Sequence, residues 1–174
     1  MMELEFKILD FIQEILRCPF LDFLMPKITA LGNGGIIWII AAIVLLATKK
    51  YRRGGFALAV GLIAVLLIGN VTLKPLIART RPFDLVEGIE LLIGAPRDFS
   101  FPSGHTLSSV VAAAILTMTD KRFGYLAIPL AVLIAFSRLY LYVHFPTDIL
   151  GGIIIGAIIS TVIYFIFFRK KSSQ

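Results

Sequence analysis

Residues 149–168 read ILGGIIIGAIISTVIYFIFF, 20 consecutive residues without a formal charge. A helix needs about 20 mainly apolar residues to cross a bilayer, and inside lipid its backbone polar groups must bond within the helix. Three more runs share that character: Ile28 to Thr48, Gly54 to Ile77 and Gly124 to Val143. A fifth, Gly104 to Thr119, is shorter and crosses only if its first turn opens into a polar crevice instead of lipid. With 58% hydrophobic and 16% charged residues, the chain lies outside the composition of soluble domains. The expectation is an all-α, polytopic transmembrane helix bundle of five spans, forming one domain.

Basic residues fall in short clusters between the apolar runs. Lys49, Lys50, Arg52 and Arg53 follow the first, Lys121 and Arg122 join two others, and Arg169, Lys170 and Lys171 follow the last. Such clusters mark cytoplasmic ends. The formal charge of +6 is therefore read as topology, with no nucleic-acid partner expected. Five crossings with these clusters inside put Ala78 to Ser103 and His144 to Asp148 outside, on one face. Residues 1–20 carry Leu4, Ile8, Phe11, Ile12 and Ile15 on one helical stripe, with Glu3, Lys7, Asp10, Glu14 and Arg17 largely opposite. This reads as an interfacial helix. A sixth crossing there would carry several charges towards hydrocarbon, at up to roughly 3 kcal/mol each. Residues 21–168 form the expected catalytic domain and 169–174 a basic cytoplasmic tail. No removable signal peptide is expected, and Cys18, the single cysteine, is read as packing.

Charges inside spans are costly and mark function, so those that interrupt the apolar runs point to the chemistry. They are Lys74, Arg79, Arg81, Arg138 and Asp148, joined by both histidines of the chain, His105 and His144. All fall towards the same expected face. Several cations, two histidines and one carboxylate at similar depth suit a phosphate: guanidinium groups match its oxygens in two-point contacts, and lysine adds a compact charge. Pro102-Ser103-Gly104 opens an apolar helix and offers free backbone N–H groups, with Ser103 as cap or donor. One imidazole can attack phosphorus while the other protonates the leaving oxygen. Asp148, four residues after His144, can hold one ring nitrogen and leave the other free, which makes His144 the nucleophile and His105 the acid. Taken singly, each feature also has a structural explanation: a helix start, a snorkelling cation, a helix-dipole charge.

The spacing of these residues completes a pattern. Lys74 is followed after six residues by Arg81-Pro82; Pro102-Ser103-Gly104-His105 comes next; five residues separate Ser137-Arg138 from His144, and Asp148 follows after three more. The chain resembles the type 2 phosphatidic acid phosphatase family, with no departure at any signature position. The resemblance implies a metal-independent phosphatase without a cofactor, with His144 as nucleophile, His105 as acid and Asp148 paired to His144. It also implies phosphate contacts from Lys74, Arg81, Ser103, Gly104 and Arg138. Arg79 matches no signature position and is read as an interfacial anchor. The segment Asp84 to Phe101 is read as either a surface connection or a headgroup-entry element in which Arg97 meets a second phosphate. Asn33-Gly34-Gly35 and Gly151-Gly152 with Gly156 are read as packing or bending sites.

The expected activity is hydrolysis of a lipid phosphate or pyrophosphate at the outer face of the plasma membrane, through a phosphohistidine. Undecaprenyl pyrophosphate is the first candidate substrate, and phosphatidylglycerol phosphate or phosphatidic acid the alternative. A phospholipid transporter or scramblase would also use intramembrane charges. It has no evident need for a nucleophile with its own orienting carboxylate.

Overall fold

The computed structural model describes residues 2–169, and no strand occurs among them. Helix α1 spans Met2–Phe11 and continues through a wider turn, Ile12–Leu16; α2 spans Pro19–Leu31 and α3 Ile36–Ala47. Helix α4, Arg52–Val65, runs on through the widened stretch Leu66–Leu73 into the short α5, Lys74–Ile77. After a long loop come α6, Gly104–Thr119, α7, Lys121–Tyr140, and α8, Pro146–Phe167. The expected all-α bundle is thus the fold.

Helix α6 is the hub, packed against α4, α7 and α8. Its sequence explains why: Ser108, Ser109, Ala112 and Ala113 are small enough for neighbouring backbones to come close, while Leu107, Val111 and Ile115 fill the core and are fully buried. Its neighbours turn large apolar side chains outward instead, among them Ile43, Ile63, Val132, Ile154 and Val162. A helix enclosed by other helices needs less length than one facing lipid. This accounts for the 16 residues of α6 beside the 20 of α7 and 22 of α8.

The stretches Lys49–Asp84, Lys121–Tyr140 and Pro146–Phe167 are each long and apolar enough to cross a membrane. The expected span from Ile28 to Thr48 is bent at the stretch read as a packing or bending site: α2 and α3 meet at 44°, and α2 already begins at Pro19. The break lies at Gly34 and Gly35, whose φ values of 59° and 72° are left-handed conformations that glycine adopts without a steric penalty. A three-residue break inside an apolar run hardly changes its average hydropathy, so the hydropathy of the run does not show the size of the bend.

Helix α1 buries Glu5 and Leu9, while Leu4, Ile8, Phe11 and Ile15 of the expected stripe face outward. The expected boundary at residue 20 falls inside the first turn of α2, because Pro19 starts that helix after the extended Cys18. At one end of the bundle the first two basic clusters meet: Tyr51 donates to Asp120 Oδ2 at 3.1 Å, and the rings of Tyr51 and Phe123 are 5.0 Å apart. Arg169 follows the end of α8; Lys170 and Lys171 lie outside the described residues.

The opposite end is fixed by the starts of α6 and α8, where Ser103 N donates to the Asp148 carbonyl at 3.2 Å. Gly152 makes this approach possible, since a Cβ there would lie 3.1 Å from the Ser103 carbonyl oxygen and 3.1 Å from Thr106 Cβ. Gly152→Val is therefore expected to cost about 1–3 kcal/mol through overpacking, read as a lower thermal midpoint in detergent. An unchanged midpoint would contradict the tight α6–α8 contact.

Candidate active site

The link between α7 and α8 carries His144, which is 1% exposed, and the first turn of α8 carries Asp148, which is 0% exposed. Asp148 Oδ2 accepts from Phe145 N at 2.8 Å and Ser100 Oγ at 2.5 Å, and lies 3.3 Å from His144 Nδ1. Its Oδ1 accepts from an Arg79 nitrogen at 2.6 Å. On the far side of the ring, His144 Nε2 lies 3.2 Å from an Arg81 nitrogen. A guanidinium can only donate, so Nε2 is the accepting nitrogen and the ring proton sits on Nδ1, facing Asp148. Burial pushes the His144 imidazole down to about 3, and the charges of Arg81 and Arg138 act the same way; the Asp148 bond opposes them only in part. The ring is therefore neutral, with the Nε2 lone pair on the cavity side.

Both histidines, Lys74, Arg81, Arg138 and Gly104 line one cavity of about 430 Å³. Arg81 is held rigidly: one nitrogen donates to the Val143 carbonyl at 2.6 Å, another to Asp98 Oδ1 at 2.7 Å, and Nε to the Asp98 carbonyl at 2.8 Å. Lys74 pairs with the other oxygen of Asp98. Arg138 donates to Thr29 Oγ1 at 2.6 Å, and its buried Nε has no partner among the described residues. His105 Nε2 lies 3.0 Å from Asn33 Oδ1. Two predicted site residues do not line this cavity: Asp148, which lies behind the His144 ring, and Ser103, whose Oγ caps α6, accepting from Thr106 N and Thr106 Oγ1. A second, mostly apolar cavity of about 490 Å³, lined by residues of α3 and α4 such as Ile43 and Leu62, meets the first at Lys74, Asp98, Gly104 and His105.

The arrangement gathers residues from position 74 to 148, as the spacing pattern anticipates. The family model described as the PAP2 superfamily matches residues 54–172. The chain belongs to the PAP2 superfamily. Among its PAP2 relatives, the undecaprenyl-diphosphatase of Sulfolobus acidocaldarius is 36% identical over 125 residues, which cover 71% of this chain and 60% of that protein. Phosphatidylglycerophosphatase B of Bacillus subtilis is 30% identical over 161 residues, covering 83% of this chain and 74% of the relative. The crystal structure of a transmembrane PAP2 type phosphatidylglycerolphosphate phosphatase from Bacillus subtilis matches with a TM-score of 0.77 at 28% identity, over 99% of this chain and 89% of that one. Membership places the chain among hydrolases that act on phosphate esters.

Four features of this PAP2 site escape sequence reasoning. Arg79 is not an interfacial anchor: it reaches inward to Asp148 and to Thr147 Oγ1 at 2.6 Å, and to Glu5 Oε2 at 2.7 Å, with its guanidinium 4.1 Å from the Phe145 ring. Glu5, from α1, is buried although it sits in a segment read as interfacial. The Asp84 to Phe101 loop does enter the cavity wall, but through Ile93, Gly94, Pro96 and Asp98, whereas Arg97 is exposed and lines neither cavity. Asn33, read as part of a bend, also holds His105. A usable signal existed only for Arg79, two residues before Arg81 at the edge of an apolar run, where an inward charge is as open a reading as an outward one. Replacing Arg79 by Met leaves the buried Glu5 and Asp148 carboxylates without their shared cation. The expected loss is about 3 kcal/mol in denaturant unfolding in detergent; a loss below about 0.5 kcal/mol would show that the triad does not stabilise the fold.

Proposed function

We propose that this PAP2 protein hydrolyses a lipid phosphate or pyrophosphate at the outer face of the plasma membrane through a phosphohistidine on His144. The observation that carries this reading is the single tautomer of buried His144: Nδ1–H faces Asp148 and the Nε2 lone pair faces a cavity walled by cations. Nε2 attacks phosphorus, the bond to the lipid oxygen or to the second phosphate breaks, and the leaving oxygen takes a proton from His105. Water then attacks the phosphohistidine, His105 takes up a proton, and His144 returns with inorganic phosphate released. Lys74, Arg81, Arg138 and the backbone N–H of Gly104 hold the phosphate oxygens and counter the charge that grows on them in the transition state, while Ser103, whose N–H is taken by the Asp148 carbonyl, supports them by capping α6. Asp148 holds the ring and stabilises the cationic imidazole while it carries phosphate.

Two observations support the substrate class and the side. The apolar cavity along α3 and α4 opens into the cationic one, which suits a headgroup joined to a hydrocarbon chain. The first two basic clusters sit at the end of the bundle away from both histidines, which by the positive-inside bias supports an outward-facing site. Undecaprenyl pyrophosphate is the leading substrate, in line with relatives named undecaprenyl-diphosphatase from two organisms. Phosphatidylglycerol phosphate is the second, in line with the Bacillus subtilis relatives named for that activity.

Phosphate release in detergent with EDTA, measured with undecaprenyl pyrophosphate, phosphatidylglycerol phosphate and phosphatidic acid, tests the reading. Release from undecaprenyl pyrophosphate should persist in EDTA and fall by at least about 1,000-fold in His144→Ala, the scale on which loss of a nucleophile acts. Release abolished by EDTA, or surviving in His144→Ala, contradicts the mechanism. No release from any lipid would favour binding or transport without hydrolysis.

A further inference from the structure

Asp98 is the only acidic residue lining either cavity among the described residues. Its two carboxylate oxygens face two different cations, Lys74 and Arg81. A phosphate held by the same pair would place two of its oxygens in the same way. The burial of the three groups differs sharply: the side chains of Lys74 and Arg81 are 8% and 3% exposed, that of Asp98 is 55% exposed. The cations are thus fixed in the wall and the carboxylate stands on the open side. Arg81 Nε also holds the Asp98 backbone carbonyl, an anchor that stays in place if the side chain alone rotates.

We propose that Asp98 is a built-in competitor of the substrate phosphate, pairing Lys74 and Arg81 in the resting site, swinging out when phosphate takes both cations, and returning to displace the product. The inference rests on the reading of Lys74 and Arg81 as phosphate ligands. A buried cation without a partner is costly, so a site that must discharge its anion on every turnover gains from a replacement carboxylate attached to its own wall. Arg138 completes the exchange: its buried Nε, without a partner among the described residues, can receive the incoming phosphate before Asp98 has left. Although burial alone would raise the Asp98 carboxyl, the bond and charge of Lys74 and the charge of Arg81 outweigh it and hold it at about 2. The competitor therefore stays ionised throughout the neutral range.

Competition and support give opposite signs. If Asp98 only orients Lys74 and Arg81, its removal disorders the cradle and weakens phosphate binding. If it competes, its removal tightens binding, because the competent state no longer has to be freed first. The test is calorimetric titration of inorganic phosphate into the full chain in detergent at pH 8, for the native protein, Asp98→Asn and Asp98→Ala, with turnover of the best lipid substrate measured alongside. Phosphate affinity should rise about 10-fold in both variants, as expected if the carboxylate leaves the native cradle free about one-tenth of the time. KM should fall with it, and inhibition by product phosphate should strengthen. Affinity that is unchanged or lower in both variants overturns the competitor, even if the native chain hydrolyses lipid phosphates normally. Tighter phosphate binding in the variants of a chain that hydrolyses none of the lipids would uphold the competitor and overturn the hydrolytic reading.

Discussion

A carboxylate removed from water stays charged only if donors meet its oxygens, and Asp148 is fully buried. Its side chain accepts from Arg79 at the end of the long α4–α5 helix, from Ser100 in the long loop, and from Phe145 N in its own helix cap, with His144 Nδ1 beside it. Its carbonyl accepts from Ser103 at the start of α6. Segments from four parts of the chain are thus brought together around one ion. The cost of leaving any of its bonds unmade is what fixes the loop, the cap and the histidine relative to one another. Glu5 extends the cluster into α1 through Arg79, so the N-terminal helix is tied to the same point.

On the other side of His144 the electrostatic situation is reversed. Lys74, Arg81 and Arg138 are all buried at one cavity, and among the described residues Asp98 is the one carboxylate that meets them there. Three positive charges against one negative leave the cavity in need of a further anion. The neutral His144 ring stands between this surplus and the Asp148 cluster, in contact with a cation on one nitrogen and a carboxylate on the other. Such placement favours an attack in which negative charge gathers on the cavity side and positive charge on the ring.

The apolar runs make the helical bundle legible because burial in lipid leaves a composition signal within each helix. The signature residues are legible because their spacing repeats a known pattern, and the structure brings His105, His144, Lys74, Arg81, Arg138 and Gly104 to one cavity. What the sequence hides has two physical sources. The Asn33 to Gly35 stretch reads as a packing or bending site but is too short to alter the hydropathy of its run, so the 44° size of the break comes only from its left-handed backbone. The ion pairs of Arg79 with Glu5 and of Asp98 with Lys74 and Arg81 join residues distant in sequence or embedded in a loop of mixed composition. No periodicity encodes such pairs; they follow from which helix ends meet. Ser103 shows the converse, a residue in the signature whose side chain is occupied in capping α6.

The central claim is the covalent intermediate on His144, and the most direct measurement is rapid quenching of the enzyme during turnover of a phosphorus-32-labelled lipid substrate. The account predicts an acid-labile, alkali-stable phosphoenzyme that maps by mass spectrometry to His144 and is absent from His144→Ala. Turnover without any labelled protein, or a label retained when His144 is replaced, would contradict it.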